Sequence, residues 1–241
     1  MNKIKCIDSF TLKIIAIIFM LCDHLWATIV PGNDWLTCLG RIAFPIFAFQ
    51  IAEGFKHTKN FNKYLLRMFI FALISEIPFN LMMGGTIIYP FHQNVLFSFC
   101  ISLIFLNIME KAKQKSKKKY IITSILSTIF GFLIGTITMV DYFGFGILTV
   151  FVFYWFKDLK HGRIFEILGM IIINVYLLQG QDISINLFKH TFYFPQQAFA
   201  LFSLLPIFLY NGKKGIQNKF TKYLFYVFYP LHMLILSLLS L

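Results

Sequence analysis

An aspartate and a histidine, Asp23 and His24, lie side by side in the otherwise apolar stretch "FMLCDHLWATIV". An ionisable side chain at the centre of a bilayer costs about 2.5–3.5 kcal/mol on insertion scales, so such residues usually serve a function. Burial disfavours the charged form of histidine, which leaves a neutral imidazole that can act as a general base. The stretch therefore predicts proton-transfer chemistry at His24, with a hydrogen-bonded buried histidine as the structural alternative.

Other ionisable residues interrupt apolar segments further along the chain. They are Arg41, Glu53, Glu76, Glu166 and His232. At a rise of about 1.5 Å per residue, the estimated depths of four groups fall in one layer near or just outside the bilayer midplane. Those four groups are His24, Arg41, Glu76 and His232. Because they come from four different segments, they predict a polar chamber inside the membrane.

The neighbours Asp23 and His24 are expected to have different partners, because adjacent helical residues point about 100° apart. We expect Arg41 to pair with Asp23, and Glu76 or a backbone carbonyl to orient His24. A purely structural ion pair between Asp23 and Arg41, fixing helix packing, is the alternative to a catalytic role for those two residues.

The composition indicates which elements must position these groups. The chain has 241 residues, is 58% hydrophobic and 13% charged, and has a mean hydropathy of +0.73. In lipid only helices and closed barrels satisfy the backbone, and the apolar stretches lack the alternation of a barrel. The sequence predicts an all-α, polytopic transmembrane helical bundle of about nine spans. The predicted spans are approximately residues 10–30, 37–55, 63–83, 93–110, 120–139, 142–157, 163–179, 195–210 and 222–240.

The basic residues orient this bundle. Of the 22 lysines and arginines, all but Arg41 and Lys189 lie near the N-terminus or near connectors that follow even-numbered spans. The positive-inside rule then predicts a cytoplasmic N-terminus and an outside C-terminus, in the cytoplasmic membrane of a bacterium. This topology accounts for the net charge of +12 without a nucleic-acid partner. It assigns the run "EKAKQKSKKK" to topology and to contact with anionic membrane lipids.

The connector "EGFKHTKNFNKYLLR" after the second span concentrates positive charge at the predicted cytoplasmic mouth of the bundle. It begins at Glu53 and includes Lys56, His57, Lys59, Lys63 and Arg67. Such a cluster attracts phosphate groups, and an arginine can bind a phosphate through two nitrogens. The connector predicts a site for a phosphorylated cofactor, with ordinary positive-inside charge as the alternative. The four cysteines have no paired metal-ligand spacing, and no metal site is predicted.

Four segments together resemble the TraX family of conjugal-transfer membrane proteins. They are "KIIAIIFMLCDHLW", "GRIAFPIFAFQIAEGFKHTKNFNKYLLRMFIFALISEIPFNLM", "DYFGFGILTVFVFYW" and the terminal "FYPLHM". TraX is associated with acetylation of the N-terminal amine of pilin, and it is similar to the integral-membrane acyltransferase superfamily. That superfamily carries a histidine in the first span and often Tyr-Pro-x-His near the end. The resemblance implies one integral-membrane acyltransferase-like domain over residues 1–241.

The resemblance also implies acetyl-CoA as donor and a membrane-associated peptide or glycan as acceptor. Family-like positions are occupied by Asp23, His24, Arg41, Glu53, His57, Arg67, Glu76 and His232. In the mechanism this implies, His24 is the general base that deprotonates an amine or hydroxyl. Arg41 stabilises the oxyanion or positions the acceptor, and Arg67 with the connector lysines holds the coenzyme A phosphates. A transporter or flippase and a non-catalytic assembly partner are the competing functions.

Overall fold

The computed structural model describes residues 5–187, 190–216 and 218–240, which are mostly helical. The α-helices are α1 Ser9–Thr28, α2 Asp34–Gly40, α3 Ala43–His57, α4 Phe61–Gly84, α5 Val95–Lys115, α6 Lys117–Ile137, α7 Phe143–Phe156, α8 Gly162–Ile171, α9 Leu204–Phe208 and α10 Lys219–Leu239. A π-helical segment, Ile172–Leu177, continues α8, and a 3₁₀ helix, Gln196–Ser203, leads into α9. The predicted helical class is confirmed. Lys189, which enters the topology prediction, lies outside the described residues, as does Lys3.

Side-chain caps set where the helices begin. Asp8 accepts a hydrogen bond of 2.8 Å from the Thr11 amide at the start of α1, and Asn60 accepts one of 2.9 Å from Lys63 at the start of α4. Asn94 caps α5 in the same way. Asparagine and aspartate side chains satisfy the amides that a first helical turn leaves unpaired. These caps fix the first turns of α1, α4 and α5.

Five helical stretches among the described residues are long and apolar enough to cross a membrane. They are Ser9–Thr28, Asp34–His57, Phe61–Gly84, Val95–Lys115 and Lys117–Ile137. The helices Phe143–Phe156, Gln196–Phe208 and Tyr223–Leu239 are apolar but shorter. Large apolar side chains are exposed along α6, among them Ile121, Ile125 and Ile129. An exposed apolar surface of this extent fits contact with lipid. The count of nine spans stays a prediction.

Three local features differ from the sequence expectation. The second predicted span is broken at Arg41 and Ile42 into α2 and α3. The lysine run is helical on both sides of Ser116, whose hydroxyl caps α6, and so is not a loop. The connector after the π-helical segment forms an antiparallel pair, β1 Asp182–Leu187 and β2 His190–Pro195, in register from Asp182↔Pro195 to Leu187↔His190. The alternation of apolar and polar residues in "DISINL" is the signal for that strand.

The chain divides into two compact units. The first comprises Met1–Phe47 and Lys160–Leu241, and the second comprises Ala48–Leu159. In the first unit, α1 packs against both α2 and α10. In the second, α5 packs against α4, α6 and α7 around a core that includes the fully buried Leu103, Phe151 and Phe153. The single domain implied for residues 1–241 stays a prediction.

Candidate functional site

In the first unit, Asp23 on α1 forms an ion pair with Arg41, which immediately follows α2. The Asp23 Oδ1 accepts hydrogen bonds from Arg41 Nη2 at 2.6 Å and from the Thr37 hydroxyl at 2.7 Å. Arg41 also donates to Thr37, through Nη2 to the hydroxyl at 2.9 Å and through Nε to the backbone carbonyl at 3.3 Å. The predicted Asp23–Arg41 pair is present. Its hydrogen bonds join α1 to α2, as the structural alternative requires.

Gly40 lets these two helices approach closely. A Cβ added at Gly40 would overlap the Asp23 side chain. A glycine is therefore needed at this position for Asp23 to reach Thr37 and Arg41. The requirement is one of space, and it accounts for the glycine at the end of α2.

His24 points away from this pair and meets a histidine of α10. The Nδ1 of His24 lies 2.7 Å from the Nε2 of His232, and the Nδ1 of His232 lies 2.7 Å from the carbonyl oxygen of Phe228. The two rings are within 5° of parallel, with centroids 4.9 Å apart. That separation is what two rings in line across a 2.7 Å bond would show, so the rings are joined edge to edge. His232 is 6% exposed, and Phe228 stacks on its ring.

The Phe228 carbonyl determines the tautomers of the pair when both histidines are neutral. A carbonyl only accepts, so His232 must carry its proton on Nδ1, and its Nε2 is then an acceptor. His24 must in turn donate from Nδ1, which leaves His24 Nε2 as its basic nitrogen. This hydrogen-bonded chain orients His24 much as the aspartate orients the histidine of a catalytic triad. When His24 Nε2 takes up a proton, the hydrogen bonds from His24 to His232 and from His232 to the Phe228 carbonyl can both persist.

His232 was predicted at the site, but Glu76 or a backbone carbonyl was expected in its place as the partner of His24. Glu76, one of the two expected partners, belongs to the second unit, where its Oε2 accepts from the Asn94 side chain at 2.5 Å. Glu166 is buried in the first unit on α8. The structure therefore brings together Asp23 with Arg41, and His24 with His232, as two adjacent pairs on neighbouring residues of α1.

In the second unit the predicted cofactor-binding residues are divided between ion pairs and exposed positions. The buried carboxylate of Glu53 pairs with Lys157 and with His57, whose Nε2 lies 2.8 Å from Glu53 Oε1. Lys56 donates to Asp158 Oδ2 at 2.6 Å. Because Glu53 and Asp158 face these cations, this end of α3 is less positive than the sequence suggests.

Lys59 and Lys63 are exposed, and Arg67 is partly buried with its guanidinium 5.7 Å from the Tyr64 ring centroid. Neither lysine lines the large cleft described below. Of the sequence-predicted cofactor residues, only Lys56 lines it. The Arg67 guanidinium lies over an aromatic face, an arrangement that is favourable whether or not a phosphate is bound. This contact therefore does not decide whether Arg67 binds a phosphate.

A cleft of about 840 Å³ opens beside the ends of α3, α5, α6 and α7 in the second unit. Its charged and hydroxyl-bearing lining includes Lys56, Lys113, Glu110, Tyr120, Tyr154 and Asp158. Tyr154 donates a 2.5 Å hydrogen bond to Glu110. A hydrogen bond from Lys56 holds the pKa of Asp158 below its usual value, so Asp158 stays ionised.

Lys113 and Tyr120 line the cleft but were not predicted as site residues, because the lysine run was assigned to topology and lipid contact. The available signal was the helical continuity of "NIMEKAKQK", which carries Glu110 and Lys113 on one face of α5, since residues three apart are neighbours on a helix. Lys113 Nζ lies 4.0 Å from Glu110 Oε2 and 5.9 Å from the Tyr120 ring centroid. The cleft therefore combines cations with aromatic rings.

The exposed apolar helices and the polar pairs on them define a multi-pass membrane protein of helical class. The chain belongs to the TraX protein family, whose family model matches residues 9–240. This confirms the resemblance drawn from the sequence. The chain is also 38% identical, over 76 residues, to the probable fimbrial assembly protein FimC, serogroup H1, of Dichelobacter nodosus. That match covers 30% of this chain and 31% of the relative. No solved structure matches the chain.

Proposed function

We propose that this protein is an integral-membrane acetyltransferase of the bacterial cytoplasmic membrane. It moves an acetyl group from acetyl-CoA to an amine or hydroxyl of a membrane-associated or exported acceptor, such as a peptide N-terminus. The observation that supports a catalytic base is the chain from His24 through His232 to the Phe228 carbonyl. Family membership and the fimbrial-assembly name of the relative favour an acceptor connected with pilus or conjugal assembly.

In the proposed reaction, His24 Nε2 takes the proton of the acceptor as its nitrogen or oxygen attacks the thioester carbonyl. The tetrahedral intermediate collapses, the carbon–sulfur bond breaks, and His24 returns the proton to the leaving thiolate. The Nδ1 bond of His24 to His232 persists throughout, so the imidazolium forms without reorganisation. The Asp23–Arg41 pair fixes α1 against α2 in this scheme, and contact of Arg41 with the oxyanion stays a prediction.

For the donor, we propose the cleft of the second unit as the site of the nucleotide end of coenzyme A. Its volume lies within the range of about 300–1,000 Å³ that is common for small-molecule sites. Lys56 and Lys113 lie beside Asp158 and Glu110 in the same cleft, and in this proposal they exchange those carboxylates for the phosphates. Tyr120 and Tyr154 supply aromatic faces for the adenine. The proposed donor site therefore differs from the cofactor site predicted in the connector after the second span. Lys56 is the one predicted cofactor residue that belongs to both sites.

Coenzyme A binding to the purified protein tests this donor site and separates the enzyme from a transporter or assembly partner. We expect Lys113→Gln to weaken binding at least tenfold, because a charge-assisted hydrogen bond contributes about 1.5–3 kcal/mol. Lys118→Gln, an exposed member of the same lysine run that does not line the cleft, is the matched control and should bind normally. Calorimetry on folded protein measures both.

The variant Arg67→Gln tests whether coenzyme A binds in the cleft or at the connector cluster predicted from the sequence. A loss of affinity in Arg67→Gln with normal binding in Lys113→Gln would contradict the cleft and restore the connector cluster. No measurable coenzyme A binding by folded wild-type protein would contradict the proposed enzyme as a whole.

We further propose nine spans with the N-terminus in the cytoplasm and the C-terminus outside. In a variant that lacks the four native cysteines, a membrane-impermeant thiol reagent added outside should label a cysteine at Ser184 and spare one at Ser116. Ser184 lies in β1, and Ser116 lies between the lysine-rich ends of α5 and α6. The opposite labelling pattern would contradict the orientation derived from the basic residues.

A further inference from the structure

A second groove lies between α5 and α6 in the second unit, on the opposite side of both helices from the cleft. This lysine groove has a volume of about 370 Å³, and its main lining residues are Ile108, Lys111, Lys115, Lys119, Ile122 and Thr123. Within each helix these residues are three or four positions apart, so each helix contributes a single face. The groove and the cleft share no lining residue.

The charge of the lysine groove is positive and is not compensated by a carboxylate. The sequence of α5 and α6 contains one acidic residue, Glu110, which lines the cleft on the other side together with Lys113. Lys111, Lys115 and Lys119 are exposed, and they form no ion pair within the described residues. Because three like charges close together repel one another, an anion bound among them would be stabilised.

On α5 the charged part of the groove is followed by apolar surface. Lys115 is the last residue of the helix, and Lys111 lies about one turn before it. Ile108 lies roughly 10 Å from the end of the helix at 1.5 Å per residue, and Ile104 continues the same face. Both isoleucines are 44% exposed. The α5 face of the groove therefore changes from cationic to apolar within about two turns.

The face of α6 has the same order of side chains. Lys119 lies in the first turn, and the exposed Ile122, Leu126 and Phe130 follow along one face. The two helices pack together and meet at Ser116, so the lysines of both helices lie at the same end of the groove. A molecule that fits this groove has an anionic end and two apolar chains.

We propose that the lysine groove binds one anionic phospholipid. Its phosphate lies among Lys111, Lys115 and Lys119, and its two acyl chains follow the exposed apolar faces of α5 and α6. Basic residues at a membrane surface attract anionic headgroups, and an ammonium group has three donors for phosphate oxygens. A nucleotide fits less well, because no aromatic ring is among the lining residues. The site extends beyond the proposed function, since a lipid can bind there whether or not acetyl transfer occurs.

Native mass spectrometry of the full-length protein in a neutral detergent tests this lipid site. The probes are phosphatidylglycerol and phosphatidylcholine with identical acyl chains, and glycerol 3-phosphate, which has the phosphate without the chains. We expect one phosphatidylglycerol to bind about tenfold or more tightly than phosphatidylcholine, because the choline group neutralises the phosphate. Glycerol 3-phosphate should bind about 100-fold more weakly than phosphatidylglycerol, because it buries no apolar chain.

Two outcomes with these probes would overturn the proposal. Equal affinity for the two lipids would mean that the groove does not select an anionic headgroup. Equal affinity for phosphatidylglycerol and glycerol 3-phosphate would make the groove a site for soluble phosphate compounds.

Two double variants with the same change in net charge show whether the groove itself binds the lipid. Lys115→Gln with Lys119→Gln removes two groove lysines, whereas Lys117→Gln with Lys118→Gln removes two exposed lysines of the same run that do not line the groove. A lysine near an anionic surface contributes about fivefold to binding, so the first variant should lose about tenfold or more in affinity for phosphatidylglycerol. The second should stay within about twofold of wild type. Equal losses would mean that the run attracts lipid through its total charge, which contradicts the groove.

A third variant blocks the groove without changing the charge. Thr123→Trp places a large side chain in the groove, whereas Ile121→Trp places the same side chain on the cleft side of α6. We expect Thr123→Trp to weaken phosphatidylglycerol binding by about tenfold and Ile121→Trp to leave it unchanged. The unfolding temperature without lipid shows that each variant is folded. Normal binding by folded Thr123→Trp, or the same loss in both variants, would overturn the assignment of the lipid to the groove.

Discussion

Replacing His24 by alanine should lower acetyl transfer by about 10²–10⁴-fold, the usual contribution of a general base. The affinity for coenzyme A should stay within about twofold, because the base acts on the acceptor proton and the proposed donor site lies on other residues. Truncation also leaves His232 Nε2 without its donor, which we expect to cost about 1–3 kcal/mol of stability. Transfer rate per folded molecule, coenzyme A affinity and unfolding temperature should all be measured on the same preparation.

The same experiment distinguishes a catalytic His24 from a structural one. If the pair with His232 only stabilises α1 against α10, the unfolding temperature of His24→Ala falls while the turnover of the surviving folded protein stays near wild type. That result would remove His24 from the mechanism.

His232 is a positioning residue in the proposed scheme, and its variant needs a readout that a packing role would not move. His232→Gln can still accept a hydrogen bond from His24 Nδ1, so the orientation of the base should persist in part. We expect a smaller loss of turnover than in His24→Ala, together with a changed pH–rate profile, because an amide and an imidazole stabilise the imidazolium differently. An unchanged profile would limit His232 to packing.

The pairing of Asp23 with Arg41 could be predicted from the sequence, because it follows from local geometry. Adjacent residues on a helix point in different directions, and Arg41 comes from the next apolar segment at a similar depth. The pairing of His24 with His232 could not be derived in this way, because 208 positions separate the two residues along the chain. Depth estimates placed them in one layer, but a layer does not determine which helices are neighbours. Only the packing of α1 against α10 resolves that choice.

The cleft in the second unit shows a different limit of sequence reasoning. The charged connector after α3 attracted the cofactor prediction because its lysines are clustered in sequence. In the folded chain Glu53 and Asp158 neutralise part of that cluster, and the cleft draws Lys113 from a run that charge patterning assigns to topology. Local composition reports the number of charges, whereas the three-dimensional fold determines which of them are compensated.

Removing either partner of the Asp23–Arg41 pair should destabilise the protein by about 3 kcal/mol, the lower end of the range for breaking a buried pair. The lower end applies because the two side chains are 21% and 19% exposed. Asp23→Asn leaves the Arg41 guanidinium without its counter-charge, and Arg41→Gln leaves the Asp23 carboxylate without its cation. The exposed Lys59→Gln should change the unfolding free energy by less than about 0.5 kcal/mol and is the control.

A double variant, Asp23→Asn with Arg41→Gln, completes a thermodynamic cycle for this pair. It removes both charges and can retain amide hydrogen bonds to each other and to Thr37. We therefore expect it to cost less than the sum of the single variants, with a coupling of about 1–3 kcal/mol between the two positions. Reversible unfolding in mixed detergent micelles measures all four proteins. Additive costs would mean that the 2.6 Å contact contributes little to holding α1 against α2.

The activity of Asp23→Asn then distinguishes the role of Asp23 from that of His24, its neighbour in "FMLCDHLWATIV". Because the Asp23 pair only fixes α1 against α2 in the proposed scheme, folded Asp23→Asn protein should transfer acetyl groups within about tenfold of wild type, far above His24→Ala. A loss as large as that of His24→Ala, in protein whose unfolding temperature is unchanged, would place Asp23 and Arg41 in the chemistry. Arg41 would then act on the reacting carbonyl, and the structural assignment of the pair would be wrong.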